Sequence, residues 1–304
     1  MPCSKDPEAG SYVFFDNIIE YVGKAESAEN VPNSDEGYSG CESFSHMWKS
    51  KLKTKDNAKS ICKQFIKLYN SLSHIKSRSI DNTDYKKDRS FLNYWVNMII
   101  NENRPYHNTC VNYFSDEMEN HCNDIFYTVN ILSNLLYDIK GGDFKKINIL
   151  YNLYVNYDKI KSNIDSLSEN NKTSLLPHSD KCYDMYKIAE TMNNAKDPVF
   201  YEKLKDFTSL YEQLYPTFEQ KEKQFNIYFK RLSDVPNNII TTSVLGSFVV
   251  LIPFMGILYK FTPMGQIFRS KNKKFTEDYN NNDDDQINLH QDTYNIKYHS
   301  VAER

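Results

Sequence analysis

Residues 239–260 read "IITTSVLGSFVVLIPFMGILYK", and their reading decides what kind of chain this is. From Ile239 to Tyr259 there are 21 consecutive residues without a charge. As an α-helix such a run is about 31 Å long, close to the roughly 30 Å hydrocarbon thickness of a bilayer. A buried helix of a soluble domain is usually shorter and amphipathic, whereas this run is apolar all round. Pro253 would break a helix in water, but a membrane helix tolerates it where neighbouring groups satisfy the freed backbone. Thr241 and Thr242 lie near one end, and Tyr259 and Phe261 mark the other, where aromatic side chains favour an interface. The sequence predicts a transmembrane helix over 239–259.

Orientation follows from the flanks. The preceding fifteen positions carry Lys230 and Arg231, and the following fifteen carry Lys260, Arg269, Lys271, Lys273 and Lys274. The basic excess places the carboxyl side in the cytoplasm. Residues 1–238 then form an exoplasmic region and 260–304 a cytoplasmic tail, with the lipid bilayer as an expected partner. "MPCSKDPEAGSYVFFDNIIEYVG" has no basic leader followed by an unbroken apolar run, so the span itself serves as the export signal. In the tail, "NNNDDD" at 280–285 reads as disordered.

The 304 residues suffice for a self-contained core, and a net charge of −3 gives no electrostatic case for nucleic acid. With only 9 Gly and 10 Pro, the chain has few turn formers and favours long helices. Its abundant Lys, Asn, Ile and Tyr are also the residues of A/T-rich codons, which lowers the weight of any single Asn or Lys.

The region before the span reads as amphipathic helices with short polar joints, giving an all-α fold. Residues 11–25 form a first helix. "KDNAKSICKQFIKLYNSLSH" sets Ala58, Ile61, Cys62, Phe65, Ile66 and Tyr69 at three- and four-residue steps. "DRSFLNYWVNMIINE" repeats the pattern, with Asp88 as its cap. "DIFYTVNILSNLLYDI" and "DFKKINILYNLYVNYDKIKSNI" read as two helices joined in a hairpin by Gly141–Gly142. Residues 165–180 contain Pro177 and read as a long loop or a boundary between subdomains. Helical periodicity resumes after it, with a break or bend at Pro216.

The six cysteines, Cys3, Cys41, Cys62, Cys110, Cys122 and Cys182, all precede the span. An even number on the exoplasmic side fits disulfides formed in an oxidising compartment, and sequence cannot choose among the pairings. A weaker reading joins His107, Cys110, His121 and Cys122 around zinc, although the adjacency of His121 and Cys122 makes simultaneous ligation awkward. No metal or cofactor is expected. The chain contains no P-loop, GxSxG, HExxH or GxGxxG motif, so the expectation is not an enzyme. Tyr151, Tyr154 and Tyr157 read as packing rather than a ligand box. Asn171-Lys172-Thr173 is a glycosylation acceptor pattern.

"FLNYWVN" at 91–97, the cysteine-bearing helical region, "YKFTPMGQIFRSKNKK" at 259–274 and "NIKYHSVAE" at 295–303 together resemble the Plasmodium interspersed repeat (PIR) family, in its VIR branch. The carboxyl-terminal third carries the most specific part of the likeness. The resemblance implies a variant surface antigen of an infected red cell, acting in antigenic variation and immune evasion, with a host receptor or an antibody as partner. It supplies no catalytic residues. The alternative is an intracellular structural or trafficking protein anchored in parasite vesicles or the vacuolar membrane.

Overall fold

The computed structural model describes residues 7–31, 37–103, 109–127, 131–166, 172–192, 197–221 and 225–234. A 3₁₀ turn at Val13–Asn17 leads into α1 (Ile18–Glu29), followed by α2 (Gly40–Trp48), α3 (Lys55–Ser71), α4 (Thr83–Asn103) and α5 (Val111–His121). Then come α6 (Gly141–Asp165), α7 (Leu175–Met192), α8 (Pro198–Glu212), α9 (Leu214–Lys221) and the single turn α10 (Phe225–Tyr228). Side chains open several of these helices by accepting backbone N–H groups that have no partner within the helix. Thr54 Oγ1 accepts from Asn57 N at 3.1 Å ahead of α3, and Asp197 Oδ1 accepts from Phe200 N at 3.1 Å ahead of α8. Asn82 Oδ1 accepts from Asp84 N at 2.8 Å and Tyr85 N at 3.0 Å, so Asn82 caps α4.

Helix α6 is central, packing against α1, α4, α7, α8 and α9, most extensively against α7. Helix α4 lies beside it and also meets α3, α5 and the 13–17 turn. Their shared interior is aromatic. Phe14 stacks on Tyr94 at 5.5 Å and meets Phe91 edge-on at 5.5 Å, while Tyr94 meets Tyr151 at 5.0 Å. Tyr151, Tyr154 and Tyr157 are all buried, as are Ala58, Ile61, Cys62, Phe65, Ile66 and Tyr69 of α3. A closing cluster ties residues 229–232 to the last helices. Lys230 N donates to Ser179 Oγ at 2.6 Å, and Leu232 N donates to Tyr215 OH at 2.7 Å.

Within "FLNYWVN", the apolar residues and the two asparagines have different tasks. Phe91, Leu92, Tyr94, Trp95 and Val96 enter the core. Asn93 and Asn97, one turn apart and buried, clamp the chain at 137–139. Asn93 Oδ1 accepts from Tyr137 N at 2.8 Å, Asn97 Oδ1 accepts from Ile139 N at 3.0 Å, and Asn97 Nδ2 donates to Tyr137 O at 2.9 Å. Glu8 pairs with the far edge of the same segment, its N donating to Asp138 O and its O accepting from Lys140 N, both at 2.8 Å.

That clamp corrects the hairpin expected over 124–164. The described residues of 124–139 form turns and an extended piece bridged to Glu8, not a helix, and Gly141 and Gly142 begin α6. Leu132, Leu135, Leu136 and Ile139 are nonetheless buried, so the apolar spacing foretold burial but not conformation. Asp88 is corrected as well. It lies inside α4, buried, accepting from Tyr21 OH at 2.8 Å and His74 N at 2.9 Å. The expected loop at 165–180 is in large part helix, because α7 starts at Leu175. Pro177 falls in its first turn, where a missing N–H costs no helical hydrogen bond. Pro216 likewise sits in the first turn of α9, just after α8 stops at Glu212.

The largest correction concerns the membrane. Among the described residues the chain is helical as expected, but no helix is long and apolar enough to cross a bilayer, so the fold class cannot include a described transmembrane helix. Helices α4, α6 and α7 have the length, at 21, 25 and 18 residues. They fail on polarity. Each carries repeated charges, including Lys86, Lys87 and Arg89 on α4, Lys145, Lys146, Asp158 and Lys159 on α6, and Asp180, Asp184 and Lys187 on α7. Several ionised groups in one helix make insertion into hydrocarbon prohibitive. Residues 239–259 and the tail 260–304 lie outside the described residues.

Candidate functional site

The densest chemistry lies where α2, α3 and the end of α5 converge. Helix α2 places Cys41 at its start, α3 places Cys62 in its second turn, and Cys122 follows the last residue of α5. Cys41 and Cys62 form a disulfide with a Cα separation of 5.5 Å. Cys122 is a thiol whose Sγ lies 3.7 Å from Cys62 Sγ. All three sulfurs stand within 4.8 Å of one another, and all three residues are 0% exposed. Burial, reinforced by the Asp124 carboxylate, pushes the Cys122 thiol up to about 12, so it is protonated at neutral pH.

Gly40 makes this junction possible. A Cβ there would collide with the His121 carbonyl oxygen and approach Cys122 Sγ to 2.8 Å. The obstacle is backbone at the end of α5, which cannot swing aside as a side chain can. Gly40→Ala is expected to lower stability by about 2 kcal/mol through overpacking. Urea unfolding would measure it, and a variant within 0.5 kcal/mol of the parent, roughly the noise of surface changes, would show that α2 can shift freely.

The other cysteines are used differently. Cys110 is disulfide-bonded, and Cys3 lies outside the described residues. Cys182 is a buried thiol on α7, its Sγ 3.7 Å from Leu153 O and its pKa raised by burial. The weaker reading that joins His107, Cys110, His121 and Cys122 around zinc gains no support among the described residues. Cys110 is spent in its disulfide, and Cys122 joins Cys41 and Cys62. His121 Nε2 sits 3.1 Å from Glu117 Oε2, and His107 lies outside the described residues, as does Asn171 of the glycosylation pattern. The sequence signal for the three-cysteine group was weak, because its members are spaced 21 and 60 residues apart and only helix packing unites them.

Two titratable groups respond oppositely to burial. Glu102, near the end of α4, is raised from 4.5 to about 7 by burial, with Lys53 opposing and Glu29 assisting. His178 on α7, whose Nδ1 lies 3.0 Å from Asn156 Oδ1, is lowered from 6.5 to about 4 by burial and by Lys159 and Lys181. Between pH 4.5 and 7 the folded chain keeps a proton on Glu102 that the unfolded chain releases, so this group lowers stability as pH rises through that window. Between pH 6.5 and 4 the unfolded chain protonates His178 and the folded chain resists, so stability falls as pH drops. The two slopes oppose each other where they overlap. Glu102→Gln is expected to raise Tm relative to the parent at pH 8 but not at pH 4.5, leaving the acid-side loss from His178 in view. An equal Tm difference at both pH values would refute the burial assignment for Glu102.

At the surface, Tyr127 is 85% and Ile80 72% exposed, and Val199 and Tyr201 of α8 are exposed as well. Set against known protein families, characterised proteins and solved structures, the chain matches none of them.

Proposed function

We propose that the helical body acts by recognition rather than chemistry, as the displayed region of a variant surface antigen of the PIR type on an infected red cell. Its roles would be antigenic variation, immune evasion and adhesion to a host receptor. The observation that carries the reading is the buried Cys41–Cys62 disulfide joining α2 to α3, a bond that persists in oxidising surroundings. Surface segments can then change around a closed scaffold at little cost to its core. Exposed Tyr127, Ile80 and Tyr201 supply contact groups of the kind that anchor interfaces.

Protease treatment of intact infected cells tests the display. The amino-terminal region is expected to disappear, while a protein of the host-cell interior survives as control. Survival of the whole region alongside cleavage of a known surface protein would end the proposal.

A second reading, an intracellular structural or trafficking protein, draws support from Cys122 and Cys182, which remain thiols. Non-reducing peptide mapping of thiol-blocked protein from cells separates the two. Display requires a Cys41–Cys62 linked peptide, whereas a reducing compartment leaves both cysteines blocked as thiols.

A further inference from the structure

The junction of α2, α3 and α5 has a second state available, because reduction turns one disulfide and one thiol into three converging thiols. We propose that the chain folded under reducing conditions binds one thiophilic d10 cation, Cu⁺ or Zn²⁺, through the sulfurs of Cys41, Cys62 and Cys122.

The distances favour this use. A metal–sulfur bond of about 2.3 Å sets ligand sulfurs roughly 3.8 Å apart in a tetrahedron and roughly 4.0 Å apart in a trigonal plane. Cys62 and Cys122 already stand at 3.7 Å, and no pair of the three exceeds 4.8 Å. Once its bond is cut, the Cys41–Cys62 pair needs only a side-chain rotation to reach such a spacing, because its Cα atoms are 5.5 Å apart. Three ligands from three separate helical segments would tie the same elements that the disulfide ties, with α5 added. Soft sulfur donors in a dry, buried setting select soft cations over hard ones.

The competing use of the cluster is thiol–disulfide exchange, with Cys122 attacking Cys62 and expelling Cys41. Displacement at sulfur runs along the axis of the bond being broken. A collinear approach would put the Cys122 and Cys41 sulfurs about 5.7 Å apart, given an ordinary bond of about 2.0 Å. They lie within 4.8 Å, so the third sulfur is set to the side of the bond rather than at its end. That triangle is poor for exchange and suited to shared ligation.

Two equivalents of a low-molecular-weight thiol reduce Cys41–Cys62 with two electrons and two protons, and leave as their own disulfide. The cation then displaces protons from the thiols as the metal–sulfur bonds form. Because the three residues are 0% exposed, loading occurs as the chain folds rather than by entry into the folded oxidised protein.

The test is anaerobic refolding of the reduced full chain with a phosphine reductant and either Cu⁺ or Zn²⁺ alone, read by native mass spectrometry and by cysteine alkylation. One cation per chain is expected for at least one of the two metals, with Cys41, Cys62 and Cys122 alkylated more slowly than in the same chain refolded without metal. Cys122→Ser should lose the cation and the protection. The same variant, refolded under oxidising conditions, should keep its helical circular dichroism and its Cys41–Cys62 bond, which separates loss of a ligand from failure to fold. Absence of a bound cation, equal loading of Cys122→Ser, or protection confined to Cys110 would each overturn the proposal. None of these outcomes depends on surface display.

Discussion

Replacing Asn97 with alanine is expected to cost about 3 kcal/mol, since buried backbone groups left without partners cost about 1–3 kcal/mol each. Asn97 both donates to Tyr137 O and accepts from Ile139 N, and a methyl group does neither. The loss should also be local. Amide exchange at Ile139 should accelerate toward the rate of a frayed segment, while amides in the middle of α6 lose only the protection that matches the fall in global stability. Asn93→Ala should behave similarly through Tyr137 N. The double variant should cost less than the sum, because both asparagines hold the same strip of chain and the second removal finds it already loosened. A cost below about 0.5 kcal/mol for Asn97→Ala, the ordinary scatter of surface changes, would mean that water replaces the clamp and the motif does not hold this segment.

Removing the α2–α3 disulfide comes next in size. Closing a loop with a sequence separation of 21 restricts the unfolded chain, and the chain-entropy estimate for such a loop is about 3 kcal/mol. Cys41→Ala/Cys62→Ala is therefore expected to lower the unfolding free energy measured in urea by that amount under oxidising conditions. Under reducing conditions the gap between parent and variant should shrink toward the packing difference alone. Cys41→Ala by itself carries an informative exception. It leaves Cys62 3.7 Å from the Cys122 thiol, so a glutathione redox buffer should join those two and recover part of the loss. Equal costs for the single and double variants would show that Cys122 cannot reach Cys62.

The helical spacing of α3 and α4 was legible because amphipathic periodicity directly reflects which side chains face a core. Ala58 through Tyr69 on one helix and Phe91 through Ile100 on the next are buried where the three- and four-residue steps put them. The failure at 124–139 has the same origin. Leu132, Leu135, Leu136 and Ile139 keep a helical rhythm and are buried, yet Leu132 N donates to Glu119, a local turn closes at 132–136, and the backbone over 137–140 takes its partners from Asn93, Asn97 and Glu8. Apolar spacing carries information about burial, whereas conformation depends on where the backbone polar groups find partners. A composition rich in asparagine hid the two that matter. Among the many candidates, only their position one turn apart on a buried face distinguishes them.

The cysteines divide along the same line. Their number, and their confinement to the region before residue 239, belong to the sequence, as do the helical class and the long uncharged run. Tertiary packing decided that Cys41 meets Cys62, that Cys110 is taken up in a disulfide, and that Cys122 completes a three-sulfur group. Local sequence fixes periodicity and capping because those forces act within a few residues. The meeting of residues 41, 62 and 122 depends on how three helical segments pack, with Gly40 allowing α2 to press against the end of α5.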